Sequence, residues 1–344
     1  MMHNEILFLN QEETITAGAL DMSMVVPTME QVFSLHEKND IVLPNKEALR
    51  WGGIKSENVR GRINSMPGYI GGDINMAGIK WIASAPQNPE KYGIPRASAI
   101  IILNNPDTLV PVAVMEASAI SAARTGANTG VAVKYLSKAD SRVLGLIGAG
   151  VQNRTQLLAT LYSRPGIEEI RIFDINKERA VNFAKEMSEK TGKKIDVCSS
   201  AEEAIDQADI YITATVTEHP IITKRMVRPG VFYSHVGSHE CEFDAIMEYD
   251  RHFVDDWDQI KHRGVESMAI MHSKGMIDDS FINGTLGQVI NGKTSGREND
   301  SQSIYFNTVG MGIEDVALAS GVFKNALKMG IGKKLELYNQ PFAI

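Results

Sequence analysis

A chain of 344 residues has room for about two domains with ample core. Its hydrophobic content of 43% and charged content of 22% are ordinary for a globular protein, and a formal net charge of −7 argues against a nucleic-acid surface. With that balance, a small anionic ligand must be met by locally placed cations rather than by a global field. Cys198 and Cys241 show no CxxC spacing, so neither a disulfide framework nor a cysteine-based zinc site is expected, and a reducing cytoplasm is the default. Residues 1–10 carry Glu5 and no basic run ahead of an apolar one, which speaks against a signal peptide. No stretch approaches the roughly 18 apolar residues of a membrane span.

In chain order, the first third reads as short extended runs around one helix. Strands are expected at Ile6–Leu9, Arg62–Tyr69, Gly78–Ala83, Ala99–Leu103 and Leu109–Met115, separated by turns such as Gly71-Gly72 and Asn104-Asn105-Pro106. The helix is expected at Met24–His36, with Pro27 near its first turn. Short turns between strands imply an antiparallel sheet. An Ala-rich helix follows at Ala117–Leu136. Extended runs then alternate with helical ones: strands at Val143–Ile147, Glu169–Phe173, Ile195–Cys198, Ile210–Thr213, Val231–Val236 and His252–Val254, and helices near Gln152–Tyr162, Lys177–Lys190, Ala201–Asp206 and Thr223–Val227. This alternation implies right-handed crossovers and a parallel sheet. A last helix, Ile313–Lys328, is expected to pack back on the first domain, which makes the parallel-sheet domain an insertion.

The strongest local signal is Val143-Leu144-Gly145-Leu146-Ile147-Gly148-Ala149-Gly150-Val151-Gln152-Asn153. An apolar strand runs into a tight turn at Gly148. Gly150 lets backbone approach a pyrophosphate, and a helix from Val151 aims its N–H groups at the anion. Asn153 stands where the third glycine of GxGxxG belongs. Asp174, at the end of the next strand, suits a ribose diol and repels a 2′-phosphate, so NAD is expected over NADP. Thr213-Ala214-Thr215-Val216-Thr217 places small hydroxyl residues at a further strand end.

Lys80 sits in the apolar run Ala77-Gly78-Ile79-Lys80-Trp81-Ile82; it either faces solvent by alternation or is buried with a partner. Arg124 in the Ala-rich helix needs a carboxylate or phosphate partner. His235, His239, Glu240 and Cys241 invite a metal test. The i,i+4 histidines suit zinc only on a helix, and Gly237-Ser238 breaks one, so no metal is expected. The segment instead follows a parallel strand, where ligands bind.

Taken together, Gly78–Ile82, Met115–Ser118, Ala123–Thr125, Leu146–Gln152, Gly296–Glu298 and Val309–Asp315 resemble the ornithine cyclodeaminase/mu-crystallin family over nearly the whole chain. Lys80, Met115–Ser118, Val254–Trp257 and Gly310–Asp315 look most like its diaminopropionate-forming branch, which oxidatively splits a glutamate conjugate for siderophores. The resemblance implies an α/β protein: a Rossmann NAD-binding domain, 128–312, inserted into an α+β substrate/dimerisation domain with a mostly antiparallel sheet, 1–127 plus 313–344. It implies a homodimer, and carboxylate binding by Arg50, Lys80 and Arg124. It extends the cofactor set of Gly148, Gly150, Val151, Asp174, Thr213, Thr215 and Val216 to Thr125, Gln152, Gly237 and Gly310.

Two departures bear on the reaction. The aspartate that proline-forming cyclodeaminases carry after the fifth strand is His239 here, with Glu240 next to it, and the pocket glutamate is Asn64. Ring closure is therefore disfavoured. The expectation is NAD(H)-dependent hydride transfer at the α-carbon C–N bond of an amino acid through an imine, as an N-substituted amino-acid (opine-type) dehydrogenase or as an imine reductase. Lys80 and His239 are the acid/base candidates, with Glu240 a substitute if its loop turns it inward. Ornithine cyclodeaminase is the alternative enzyme, and a mu-crystallin-like ligand carrier is the alternative without turnover.

Overall fold

The structure is a computed structural model that describes residues 5–52, 61–217, 219–340 and 342. The chain divides into two units, one of residues 1–124 and 311–344 and the other of Thr125–Gly310. Among the described residues, no helix is long and apolar enough to cross a membrane.

The first unit is built on a sheet of β1 (Glu5–Leu9), β2 (Ile41–Val42), β3 (Glu47–Trp51), β4 (Gly61–Ile70), β5 (Met76–Ser84), β6 (Ala97–Asn104), β7 (Pro111–Glu116) and β16 (Lys333–Glu336). Its order is β16-β1-β7-β6-β5-β4-β2, with β3 also on β4; among the described residues only the β1–β7 pair is parallel. Alternation gives this sheet two faces. Leu9, Met115, Ile101 and Met66 stand in registered rows on one face and are buried; the helix Gly312–Met329 packs on β4, β5 and β6, and Met22–Glu37 packs on that helix.

Several sequence expectations change in this unit. The first long helix starts at Met22, capped by the Asp21 side chain, so Pro27 lies inside it rather than in its first turn. Leu109 is not in a strand. Asn105 accepts from the backbone of Asp107 and Thr108 through its side chain, and the turn it makes holds Leu109 at φ 59. The strands β2, β3 and β16 went unread because they are short and polar or follow the last helix.

In the second unit all eight strands are parallel: β8 (Val143–Ile147), β9 (Glu169–Phe173), β10 (Ile195–Val197), β11 (Ile210–Thr213), β12 (Phe232–His235), β13 (Arg251–Val254), β14 (Gly284–Thr285) and β15 (Ile304–Asn307). Their order, β10-β9-β8-β11-β12-β15-β13-β14, is doubly wound and reverses direction between β8 and β11. β14 and β15 are additions to the sequence reading. β15 inserts between β12 and β13, and Tyr305 on it joins Tyr211, Tyr233 and Tyr249 in the core. Arg297 ties the segment ahead of β15 to the helix Ser118–Leu136 by donating to the Leu136 carbonyl, 2.8 Å away.

Candidate active site

The first unit concentrates charge where the sheet is most apolar. Lys80 occupies the buried row between Met66 and Ile101, and its side chain is fully buried. A lysine there survives only with partners. Its ammonium donates to Asp315 Oδ2 at 2.6 Å and to Ser121 Oγ at 3.1 Å, leaving a third donor. Arg124, also buried, donates through Nε to Asp315 Oδ1 at 3.0 Å and through Nη1 to Glu314 Oε2 at 2.8 Å. The two carboxylates reach this position because the helix Gly312–Met329 starts in backbone contact with β4. A Cβ on Gly312 would lie 2.7 Å from the Pro67 carbonyl oxygen.

The four charges cancel, so any anion held here would be met by directed N–H donors rather than by excess charge. Burial, then the neighbouring Arg124, pushes the Lys80 ammonium down to about 8, and Asp315 and Glu314 oppose this. For Arg124 burial also opposes the charge, but Asp315 and Glu314 more than offset it and hold the guanidinium above its usual range.

Arg50 and Asn64 share the Lys80 face: Arg50 pairs with Arg62, two residues from Asn64 on β4, and Met66 pairs with Lys80. Standard strand spacings put the Asn64 Cα about 8 Å from that of Lys80 and the Arg50 Cα about 17 Å away. Arg50 is exposed on β3 and does not belong to the buried set. Asp315 and Glu314 were missed in the sequence because acids in the first turn of a helix read as ordinary dipole partners. Their complete burial is the sign of another role.

In the second unit, β8 runs into Gly148 at φ 98, where a Cβ would lie 2.8 Å from the Ala214 carbonyl oxygen. Gly150 is the N-cap of the 13-residue helix Val151–Ser163, offers no side-chain cap, and has nothing within 4 Å of where its Cβ would be. The helix thus presents unclaimed N–H groups to open space, as a pyrophosphate requires. Asn153 replaces the third glycine in a different way: fully buried, it donates to the carbonyls of Ile147 at 2.8 Å and Gly148 at 2.5 Å and so ties the turn from beneath. Asp174, half-buried at the end of β9, accepts from the backbone of Ala149 at 2.7 Å and Asn176 at 2.8 Å. Val151, Ile175 and Val216, after β8, β9 and β11, are exposed by 66%, 96% and 67%. Apolar side chains left bare around a glycine turn suit the flat rings of a dinucleotide, and the residues present fit that group. Gln152 is half-buried, and Gln156 donates to the Thr125 carbonyl at 3.2 Å. A separate hollow of about 690 Å³, lined by Glu169, Arg171, Asp196 and Glu203, shares no residue with this turn, and its acids repel phosphate.

The strand-end loops place Thr213, Glu240 and Gly310 as follows. Thr213 is fully buried, and its hydroxyl donates to Glu240 Oε2 at 2.6 Å. Glu240 does turn inward, but toward the strand ends: it also accepts from the backbone of Thr215 at 2.5 Å and Gly237 at 2.7 Å. Burial raises its pKa against those bonds, and its hydrogen bonds brace the loops after β11 and β12. Gly310, at φ 70, donates to Asp255, which also holds Val309 and Thr308.

The histidines separate cleanly. His235 is buried against Tyr305, and burial pushes it down to about 3, so it stays neutral. His239 is partly open, with Nδ1 2.9 Å from Ser267 Oγ. Ser267 spends its proton on the Cys241 carbonyl at 3.0 Å, so His239 Nδ1 is the donor and Nε2 keeps its lone pair. Burial, then Lys274 and His219, hold His239 below its usual value. Among the described residues, no group of three or more metal-ligating side chains assembles.

An Asp174→Ala substitution is expected to weaken NAD binding about tenfold and to narrow the preference over NADP, because it removes the diol acceptor and the repulsion of a 2′-phosphate. Fluorescence titration with both reduced cofactors checks this; unchanged dissociation constants would contradict it.

The family model for ornithine cyclodeaminase/mu-crystallin matches residues 17–330. The chain is 33% identical over 338 residues to N-((2S)-2-amino-2-carboxyethyl)-L-glutamate dehydrogenase of Staphylococcus aureus, covering 98% of this chain and 100% of that protein. A structure of Thermococcus litoralis Δ1-pyrroline-2-carboxylate reductase with NADH and L-proline superposes with a TM-score of 0.87 at 33% identity, covering 95% and 99% of the two chains. An archaeal alanine dehydrogenase dimer with bound NAD superposes with a TM-score of 0.87 at 32% identity, covering 97% and 100%. With a doubly wound dinucleotide unit and a buried cation pair in the sheet domain, the chain belongs to the ornithine cyclodeaminase/mu-crystallin family.

Proposed function

We propose that this protein is an NAD(H)-dependent dehydrogenase that opens the α-carbon C–N bond of an N-substituted amino acid, of the N-(2-amino-2-carboxyethyl)-glutamate type, by way of an imine. The observation that carries this reading is the buried pair of Lys80 and Arg124, whose donors are only partly spent on Asp315 and Glu314. NAD held at the Gly148–Gly150 turn and Asp174 would supply the hydride acceptor or donor for the α-carbon. Lys80 and Arg124 hold the α-carboxylate by charge-assisted hydrogen bonds. Loss of the amine proton with the hydride leaves a C=N bond; water adds to its carbon, and cleavage gives the free amine, 2,3-diaminopropionate, and a 2-oxo acid. His239 Nε2 is the acid/base atom, because Ser267 fixes the other nitrogen as a donor. Asn64 and Arg50, on the Lys80 face but farther along the sheet, suit a substrate longer than alanine with further carboxylates.

Ornithine cyclisation would need a carboxylate beside the reacting amine, and Glu240 is committed to Thr213, Thr215 and Gly237. The deciding experiment is a panel of the glutamate conjugate, alanine, proline and ornithine with NAD, followed by NADH absorbance and mass spectrometry. Net NADH and 2,3-diaminopropionate from the conjugate are expected. Proline and ammonia from ornithine at more than roughly 1 s⁻¹ would overturn the reading.

The reading includes a homodimer. Phe8, Leu49, Trp81 and Ile100 are exposed on the sheet face opposite Lys80, and register gathers them into one apolar surface that a second copy suits. Trp81→Glu is expected to shift the protein to monomer in sedimentation; an unchanged species would count against this face. Cys198 and Cys241 are free and buried, which fits a reducing cytoplasm.

A further inference from the structure

We propose that Asp315 is a positioning residue of the carboxylate site: one carboxylate, bridging Lys80 by Oδ2 and Arg124 by Oδ1, aims the remaining N–H donors of both cations at a single substrate carboxylate. The proposal rests on the function argued above, but its geometry stands alone. The Asp315 oxygens lie 2.6 Å from Lys80 Nζ and 3.0 Å from Arg124 Nε, and Lys80, Arg124 and Asp315 are all buried. Each oxygen takes a different cation, so the two side chains are spaced by the width of a carboxyl group, as two donors to another carboxylate must be. Ser121, on the same helix as Arg124, takes one more Lys80 proton and removes the remaining freedom of the ammonium. Glu314 holds Arg124 from the other side and makes no hydrogen bond to Lys80.

A second consequence is electrostatic. The groups that act on Lys80 are Arg124, Asp315 and Glu314. Burial and Arg124 drive the proton off, and Asp315 is the largest influence retaining it. Asp315 therefore sets the upper pH limit of a cationic Lys80 as well as its direction.

The test combines an NMR titration with kinetics on the intact protein. Lysine is ¹⁵N-labelled, the Lys80 Nζ signal is assigned with Lys80→Met, and the titration runs from about pH 6 to 11. Asp315→Asn is expected to lower the Lys80 midpoint by about one pH unit or more, the size of a lost charge-assisted hydrogen bond. Glu314→Gln is expected to lower it by less. Asp315→Glu keeps the charge and changes the reach, so its midpoint stays near wild type while KM for the amino-acid substrate rises about tenfold or more. An unmoved midpoint in Asp315→Asn, or a wild-type KM in Asp315→Glu, overturns the proposal. If the asparagine variant does not fold, Asp315→Glu decides through its KM. The titration needs no turnover, so a shifted midpoint in a protein inactive on every amino acid would sink the proposed function while upholding the Asp315–Lys80 coupling.

Discussion

Arg124→Ala is expected to destabilise the protein by about 3–5 kcal/mol, the range found when one partner of a buried ion pair is removed. The substitution takes the guanidinium away from two fully buried carboxylates, Glu314 and Asp315, and leaves Lys80 as the cation on Asp315. The urea midpoint followed by circular dichroism measures the loss, and turnover should disappear with it. The quadruple variant Lys80→Met, Arg124→Met, Glu314→Gln, Asp315→Asn removes all four charges together, and is expected to recover most of the stability and none of the activity. A single variant with the wild-type midpoint would show that the buried network does not hold this part of the sheet domain.

Lys80→Ala is expected to lower kcat/KM by about 10- to 150-fold, corresponding to the roughly 1.5–3 kcal/mol of a hydrogen bond to a charged group. In the wild-type enzyme the same side chain gives an alkaline limb. Lys80 keeps its proton below about 8, so kcat/KM is level there and falls as the amine neutralises above it. Stability moves in the opposite sense. Because Lys80 titrates near 8 in the fold against 10.5 when free, the unfolded chain binds more protons between those values. Stability from this group is therefore gained as pH rises through that window and lost as pH falls through about 8. Lys80→Ala should lack both the kinetic limb and this gain. A pH profile of kcat/KM paired with urea midpoints at about pH 7 and 10 tests both; a limb near 8 that survives in Lys80→Ala assigns it to another group.

Much of the architecture was legible in the sequence because it is written in local patterns. The apolar strand Val143–Ile147 running into Gly148-Ala149-Gly150, with Asp174 at the next strand end, needs only short-range chemistry to be read as a dinucleotide turn. The helices Ser118–Leu136 and Gly312–Met329 follow from helical spacing of Ala, Val and Leu. β15 escaped that reading because it is four residues long, follows a polar stretch, and takes its place between β12 and β13 through pairings distant in sequence.

The same division runs through the active-site residues. Sequence by itself determined which residue types were present: Lys80 in an apolar strand, Arg124 in an apolar helix, and a histidine followed by a glutamate after the fifth strand of the dinucleotide unit. Only the tertiary structure decided their states. A side chain's partners 190 and 235 positions away, such as Glu314 for Arg124 and Asp315 for Lys80, leave no periodic trace. Likewise, whether Glu240 faces a ligand or braces two strand ends depends on where Thr213, Thr215 and Gly237 place their hydrogens. Charge and hydrogen-bonding capacity belong to the residue. Desolvation and the choice of partner belong to the fold, and these decide which of the same side chains binds a substrate and which holds the structure together.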